Sequence, residues 1–266
     1  MEDAAKYKLQ VKADKSLPTL YLVGDSTMKV GTPGQRGWGE EMAKYFDPKK
    51  LNVVNQAIGG RSSRTFQTEG RWDAVVAMLE KGDVVIIEFG HNDGGPINED
   101  PPVNAMTRAR GTIRGVGEET KEIDNILTGR HEVVHSFGWY IRKYVNDVKA
   151  KGAVPIVMSL VPRNSWNGKK VNRASPNGYG EWARLAAEET GCHFVDHNEI
   201  IAQALEKLGP EKAMPLFADG KLHASPVGAE FNARAAIAGL KSMPGDPFKH
   251  WFSSEAGDIL PFTSGK

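Results

Sequence analysis

The sequence contains residue types that acyl transfer requires, placed beside an apolar run and near the end of the chain. Ser26 lies in Gly-Asp-Ser-Thr, directly after the apolar run Leu20–Val23, and His223 lies four residues after Asp219. A serine hydroxyl becomes a nucleophile when a histidine takes its proton and a carboxylate holds that histidine in the productive tautomer. We therefore predict Ser26 as nucleophile and His223 as base. The Gly-Asp-Ser cluster alone is equally typical of a turn.

Two further clusters could supply the hydrogen-bond donors that a tetrahedral oxyanion needs. Gly60 lies in "NQAIGGRSSRTF", and Asn92 lies in Gly-His-Asn-Asp. A residue without Cβ lets its backbone approach a ligand closely, and an Asn amide is a neutral donor. We predict an oxyanion hole formed by the backbone N–H groups of Ser26 and Gly60 and the side chain of Asn92.

The elements that must position these residues alternate between strands and helices. Continuous apolar runs, typical of parallel strands covered on both faces, occur at Leu20–Val23, Val53–Val54, Val84–Phe89, Pro155–Leu160 and His193–Val195. Helix-like segments occur at Gly37–Phe46, Trp72–Glu80, Val133–Lys151, Tyr179–Glu189 and Ile200–Lys207, and another follows His223. This alternation predicts a doubly wound parallel sheet in one domain. Ligands of such sheets bind outside the carboxyl ends of the strands, where the polar clusters lie.

Composition is that of an ordinary globular protein. The 266 residues are 40% hydrophobic and 25% charged, with a net charge of +1. This charge does not predict a protein that binds nucleic acid or a membrane surface through its overall charge. No run approaches the roughly 18 apolar residues of a membrane span. Cys192 is the single cysteine, which excludes an internal disulfide. No signal-peptide core is visible, so we predict a cytoplasmic protein, or an extracellular or periplasmic one if a signal peptide has been removed. The oligomeric state is not predicted.

The order of the clusters resembles that of a known family. "GDST", "GGRSSR", "GHND" and "DGKLHASPVGAE" resemble the four blocks of SGNH (GDSL-type) hydrolases, from Leu20 to about Leu240. "VGDSTM" and "NQAIGGRSSRTF" are similar in particular to the rhamnogalacturonan acetylesterase branch. The resemblance implies a three-layer α/β/α sandwich with a flavodoxin-like parallel sheet. It also implies hydrolysis of O-acetyl esters on a carbohydrate, above all a pectic poly- or oligosaccharide, through an acetyl-enzyme and without a metal or organic cofactor.

The resemblance assigns most of the site but leaves its acid open. It implies that Ser26 is the nucleophile, that Gly60 and Asn92 belong to the oxyanion hole and that His223 is the base. The family's acid usually stands three residues before the histidine, where this chain has Gly220. Either Asp219 serves through a different turn, or the site is a Ser-His pair.

Two segments depart from the strand–helix alternation. The Gly/Pro-rich stretch 94–121 follows the Asn92 cluster, so we expect it to overhang the site. Its Arg108, Arg110 and Arg114 could bind a substrate carboxylate such as that of galacturonate, or they could simply solvate the loop. For 244–266 we predict an irregular strap over the surface, outside a single domain at 15–243.

Two other functions compete with ester hydrolysis. His131-Glu132-Val133-Val134-His135 matches the HExxH pattern, in which two histidines on one helix face hold Zn²⁺ and the glutamate acts as general base. No third ligand is marked, since Ile141 stands where the longer form of the motif has a histidine. The other alternative is a non-catalytic carbohydrate-binding protein that uses exposed tryptophans.

Overall fold

The computed structural model describes residues 6–173 and 177–263. In these ranges a parallel sheet of five strands runs in the order Asn52–Asn55 (β2), Thr19–Gly24 (β1), Val84–Glu88 (β3), Val154–Met158 (β6) and His193–Val195 (β9). An antiparallel hairpin pairs Thr120–Asp124 (β4) with His131–His135 (β5), and a shorter one pairs Trp166–Asn167 (β7) with Lys170–Val171 (β8).

The α-helices lie between and after these strands. They are Ser63–Thr68 (α1), Arg71–Val76 (α2), Phe137–Ala150 (α3), Tyr179–Glu189 (α4), His197–Leu208 (α5), Pro210–Ala213 (α6) and Pro226–Lys241 (α7). Short 3-10 turns occur at Trp38–Glu40, Met42–Tyr45, Met214–Leu216 and Ser254–Ala256. Within 6–173 and 177–263, no helix combines the length and apolarity needed to cross a bilayer.

Alternate side chains of the central strands enter two separate cores. In β1, Leu20 and Leu22 contact one core, whereas Tyr21 and Val23 contact the other. Helices α5 and α7 cover the first core, and α1 to α4 cover the second. Because both faces are covered, the strands are apolar without alternation. The predicted three-layer α/β/α sandwich with flavodoxin-like strand order is confirmed.

Most predicted elements are present with small shifts of their ends, and two predictions of helix are wrong. Gly37–Phe46 forms two 3-10 turns instead of one α-helix. The helix predicted at Val133–Lys151 begins at Phe137, because Ser136 caps it through the backbone N–H of Trp139 at 3.1 Å. The residues before Ser136 pair with β4 and form β5 instead.

The C-terminal segment is irregular, as predicted, but it is not confined to the surface. Phe248 is 1% exposed and its ring lies 6.1 Å from that of Phe46. Backbone hydrogen bonds join Ser253 to Tyr45 and Trp251 to Asp47, at 2.9 and 2.7 Å. The segment therefore closes the first core. The domain boundary at 243 stays a prediction, and residues 264–266 of the predicted strap lie outside the described ranges.

Candidate active site

Ser26 lies on a tight turn at the carboxyl end of β1. The backbone N–H groups of Met28 and Lys29 donate to the carbonyl of Asp25, at 3.2 and 3.1 Å. The Asp25 carboxylate accepts from the backbone N–H and the hydroxyl of Thr27, each at 2.9 Å. These bonds are typical of a turn that ends a strand. They hold Ser26 at the tip of the turn, where its hydroxyl reaches His223.

His223 and Asp219 share one turn that leads into α7. Oδ1 of Asp219 accepts from the backbone N–H groups of Lys221, Leu222 and His223, at 2.8, 2.8 and 3.1 Å. Oδ2 lies 2.7 Å from Nδ1 of His223. Gly220 has a φ of +70°, a conformation that glycine adopts without steric cost. This turn lets a carboxylate four residues before the histidine reach its ring.

The charge on Asp219 fixes the direction of the hydrogen bonds. Partial burial raises its pKa, but the N–H of Leu222, the His223 ring and the other N–H groups outweigh this and hold the pKa well below its ordinary value. The ionised carboxylate only accepts, so Nδ1 of His223 donates to it. Nε2 therefore keeps its lone pair for Ser26, whose Oγ lies 3.0 Å away. This geometry can remove the hydroxyl proton of Ser26.

Gly60 and Asn92 lie on the loops that follow β2 and β3. Gly60 has a φ of +79°, and a Cβ built there meets no atom within 4 Å, so its backbone conformation, rather than crowding by the protein, requires glycine. Asn92 is buried and donates one amide N–H to the carbonyl of Arg61 at 2.9 Å, leaving the other available. In the described part of the chain, the backbone N–H groups of Ser26 and Gly60 donate to no other protein group.

A buried pair behind the site was not recognised from the sequence. Glu88 accepts from the indole of Trp38 at 3.1 Å, and the same oxygen lies 3.3 Å from the hydroxyl oxygen of Thr27. Its other oxygen lies 2.8 Å from Nδ1 of His197, whose Nε2 donates to the carbonyl of Asn232 at 2.9 Å. This network ties the residue after Ser26 to α5 and α7. The signal for it is the charged residue inside the apolar run "VVIIEF".

The three arginines of the 94–121 loop lie in two different places. Arg108 and Arg110 line an open cavity that begins at Gly60. Arg114 instead lies over the ring of Trp182, 5.3 Å from its centroid, beside a smaller cavity. The preceding residue, Ile113, bridges to Ser136, which caps α3. The structure thus brings only two of the three predicted arginines to one site.

The HExxH segment does not have the geometry of a zincin. Its residues form β5, not a helix, because they pair with β4 and include β-branched Val133 and Val134. Four residues of strand separate the Cα atoms of His131 and His135 by about 13 Å, too far for one metal ion. The Glu132 carboxylate is engaged by the Arg64 guanidinium, at 2.6 and 2.9 Å. Across the described ranges, no three His, Cys, Asp or Glu side chains converge as metal ligands would.

The tryptophans do not form the exposed surface that a non-catalytic carbohydrate-binding protein would use. Trp38 and Trp72 are fully buried. The other four are half-buried: Trp139, Trp166, Trp182 and Trp251. The exposed tryptophans expected for that alternative are therefore not present.

Known proteins resemble this chain along most of its length. Residues 22–231 match the GDSL-like Lipase/Acylhydrolase family. The rhamnogalacturonan acetylesterase of Emericella nidulans is 35% identical over 243 residues, covering 91% of either chain. The probable rhamnogalacturonan acetylesterase YesY of Bacillus subtilis is 25% identical over 231 residues, 84% of this chain and 93% of its own.

Solved structures share the fold. Protein YxiM of Bacillus subtilis aligns with a TM-score of 0.66 at 26% identity, over 85% of this chain; the alignment spans 56% of the YxiM chain. An acetylxylan esterase from Geobacillus stearothermophilus aligns with a TM-score of 0.54 at 22% identity, over 84% of this chain and 94% of its own, which is a likeness of fold alone.

These matches agree with the four polar clusters and with the sheet that carries them. The expected class of enzyme, a carboxylic ester hydrolase, is confirmed by the family and by the esterases among the relatives. The chain belongs to the GDSL-like lipase/acylhydrolase family.

Proposed function

We propose that this protein is a serine acetylesterase that removes O-acetyl groups from a pectic, rhamnogalacturonan-type poly- or oligosaccharide. The observation that carries the proposal is the relay in which Ser26 Oγ lies 3.0 Å from Nε2 of His223 and Nδ1 lies 2.7 Å from Asp219. The carbohydrate substrate is supported by the two relatives named as rhamnogalacturonan acetylesterases.

The first half of the reaction forms an acetyl-enzyme. Ser26 Oγ attacks the acetyl carbonyl carbon while Nε2 of His223 takes the hydroxyl proton, and Asp219 stabilises the imidazolium that forms. The carbonyl oxygen becomes an oxyanion, which accepts from the N–H groups of Ser26 and Gly60 and from the Asn92 amide. The carbon–oxygen bond to the sugar then breaks, and His223 returns the proton to the leaving sugar oxygen.

The second half hydrolyses the acetyl-enzyme. Nε2 of His223 takes a proton from water as the water oxygen attacks the acetyl carbon. The same donors stabilise the second oxyanion. The bond to Ser26 Oγ breaks, His223 returns the proton to that oxygen, and acetate leaves.

Acetate release from a panel of acetylated rhamnogalacturonan, homogalacturonan and xylan oligosaccharides tests this proposal. We expect the highest kcat/KM on rhamnogalacturonan oligosaccharides, and we expect Ser26→Ala to lose all but a few per cent of activity on every substrate. Ser242→Ala, which removes a hydroxyl at the end of α7, is the control and should keep full activity. Hydrolysis that survives in Ser26→Ala would contradict the mechanism. A preference for xylan would contradict the pectic specificity.

A further inference from the structure

A large open cavity adjoins the oxyanion loop and has no part in the acyl-transfer steps. It has a volume of about 980 Å³, and Gly60 lies at its edge. Its walls come from α1, from the 94–121 loop and from the turn that joins β4 to β5. That volume is at the upper end of the usual range for ligand sites, so it exceeds what an acetyl group needs. A glycan whose ester reaches Ser26 would extend into it.

Arginines without carboxylate partners dominate the charge of this cavity. Arg61 is paired with Glu69 at 3.0 Å, and Glu132 is paired with Arg64. These pairs neutralise both acidic residues of the cavity lining. Arg108, Arg110 and Arg130 also line it, and within residues 6–173 and 177–263 none of their guanidinium groups forms an ion pair with a carboxylate. In the same ranges, the Glu99 carboxylate accepts only from the backbone N–H of Arg108, at 2.6 Å. The cavity lining therefore contains three arginines that form no ion pair with any described residue.

Arg110 contacts the oxyanion loop directly. One terminal nitrogen lies 3.5 Å from the carbonyl of Gly60, and its stem packs on Gly95. Its Nε is buried without a hydrogen-bond partner among the described residues. Burial and the charge of Arg108 lower the pKa of Arg110, and they outweigh the opposing attraction of three nearby carboxylates, those of Asp25, Asp93 and Glu99. A partly desolvated guanidinium with unused donors is costly, and a carboxylate that accepts two of its N–H groups would satisfy it.

We propose that this cavity is a uronate subsite, in which Arg110 binds the carboxylate of the sugar that carries the acetyl ester or of its neighbour. Arg108 and Arg130 bind a second uronate further along the same chain. The inference rests on the proposed esterase function and adds to it the residues that select an anionic glycan. Guanidinium is suited to this role because its planar fork matches a carboxylate.

A matched pair of substrates isolates the charge. One is an acetylated galacturonate-containing oligosaccharide; the other is the same oligosaccharide with its carboxylates methyl-esterified, which removes each negative charge and adds only a methyl group. Acetate release is measured for both, and 4-nitrophenyl acetate reports the ester chemistry alone. For the unmodified protein we expect a higher kcat/KM on the free acid. Raising NaCl from about 20 to about 500 mM should reduce this preference, because salt screens exposed charges.

Substitutions of single arginines and of a pair show which residues cause the preference for the free acid. Arg110→Gln should lower the ratio of kcat/KM on the free acid to that on the methyl ester by roughly tenfold or more, as the loss of a charge-assisted hydrogen bond implies. The double variant Arg108→Gln/Arg130→Gln should lower the same ratio through KM, and it lies farther from the oxyanion loop. Arg114→Gln is the matched control: it belongs to the same loop but lies outside the cavity, and the ratio should not change.

The outcomes separate the subsite from the esterase. Equal acetate release from free acid and methyl ester by the unmodified protein would overturn the subsite and leave the esterase standing. An unchanged ratio in both Arg110→Gln and the double variant would also overturn it, as would an equal change in Arg114→Gln. Failure of the unmodified protein to hydrolyse any acetylated substrate would instead refute the proposed function.

Discussion

At the scale of single residues, Asp219 uses its two carboxylate oxygens differently. One oxygen accepts three backbone N–H groups of the turn, and the other accepts the ring N–H of His223. An amide in this position could still hold the backbone through its oxygen. Only the contact with the ring requires a second acceptor. The two contributions can therefore be separated by one substitution.

Asp219→Asn should leave the fold intact and lower kcat by a factor on the order of 10³–10⁴. The amide N–H₂ would face Nδ1 as a donor, so the imidazole would take the tautomer that carries its proton on Nε2, toward Ser26. We expect this loss on 4-nitrophenyl acetate, with an unchanged circular dichroism spectrum. A kcat within threefold of the unmodified protein would mean that Ser26 and His223 act as a pair and that Asp219 serves only the turn.

Asp93, next to Asn92, is predicted to make stability depend on pH. It is buried and accepts from the backbone N–H and hydroxyl of Ser63, and burial raises its pKa to about 7. In the unfolded chain the carboxyl titrates near 4. The stability due to its protonated form is thus fully present below about pH 4 and is lost as pH rises to about 7.

Asp93→Asn removes this titration and can still accept from Ser63. We expect the thermal midpoint of the variant, relative to that of the unmodified protein, to rise as pH increases from about 4 to about 7. Above that range the difference between the two midpoints should be constant. Calorimetric scans across this range measure the difference. A difference independent of pH would show that Asp93 titrates at its ordinary pKa in the folded protein.

At the scale of elements, Arg64 joins three parts of the cavity wall. It lies on α1 with its side chain fully buried, and its guanidinium donates to both oxygens of Glu132 on β5. The same group donates to the carbonyls of Ile97 and Gly111, each at 2.8 Å. One side chain thus fixes the β4–β5 hairpin and the 94–121 loop against α1.

Arg64→Met should destabilise the fold by about 3–5 kcal/mol, because it leaves a largely buried carboxylate unpaired. Urea unfolding measures this cost. The double variant Arg64→Met/Glu132→Leu should recover much of the loss, since neither charge then remains. If the double variant is as unstable as the single one, the two lost bonds to backbone carbonyls, not the ion pair, account for the effect.

Whether a feature of this protein could be predicted from its sequence depends on how far apart in the chain the interacting residues lie. Ser26, His223 and the central strands stand in local patterns that short stretches reveal. The sequence of β5 fits either a helix or a strand, and its state depends on pairing with Thr120–Asp124. The ion pair of Arg64 with Glu132 and the hydrogen bond between Glu88 and His197 join residues 68 and 109 positions apart, so no local pattern contains them.

At the scale of the whole molecule, the irregular C-terminal segment packs into the same core as the sheet. Phe248 packs in the first core together with residues from β1, β3 and β6. Lys241 at the end of α7 donates to the carbonyls of Ala256 and Ile259, at 2.6 and 2.8 Å. The segment is therefore fixed at several points along its length.

Phe248→Ala should lower the free energy of unfolding by about 3–5 kcal/mol, the usual cost of deleting a buried aromatic ring. Unfolding should remain a single transition, since the segment and the sheet share one core. Fluorescence and circular dichroism followed in the same urea titration test both points. Separate transitions, or an unchanged midpoint, would mean that the segment is only a surface strap.

The turn from Asp219 to His223 places acid and base together, whereas the nucleophile comes from a strand 197 positions earlier in the chain. A cut at the exposed tip of the β7–β8 hairpin, Gly168-Lys169, would put Ser26 on one fragment and the complete His–Asp unit on the other. Under the proposed mechanism neither fragment could hydrolyse an ester alone. After the fragments are mixed, or diluted from denaturant, the rate at which ester hydrolysis returns would then measure how fast the C-terminal third of the chain docks beside β6 and brings His223 to Ser26.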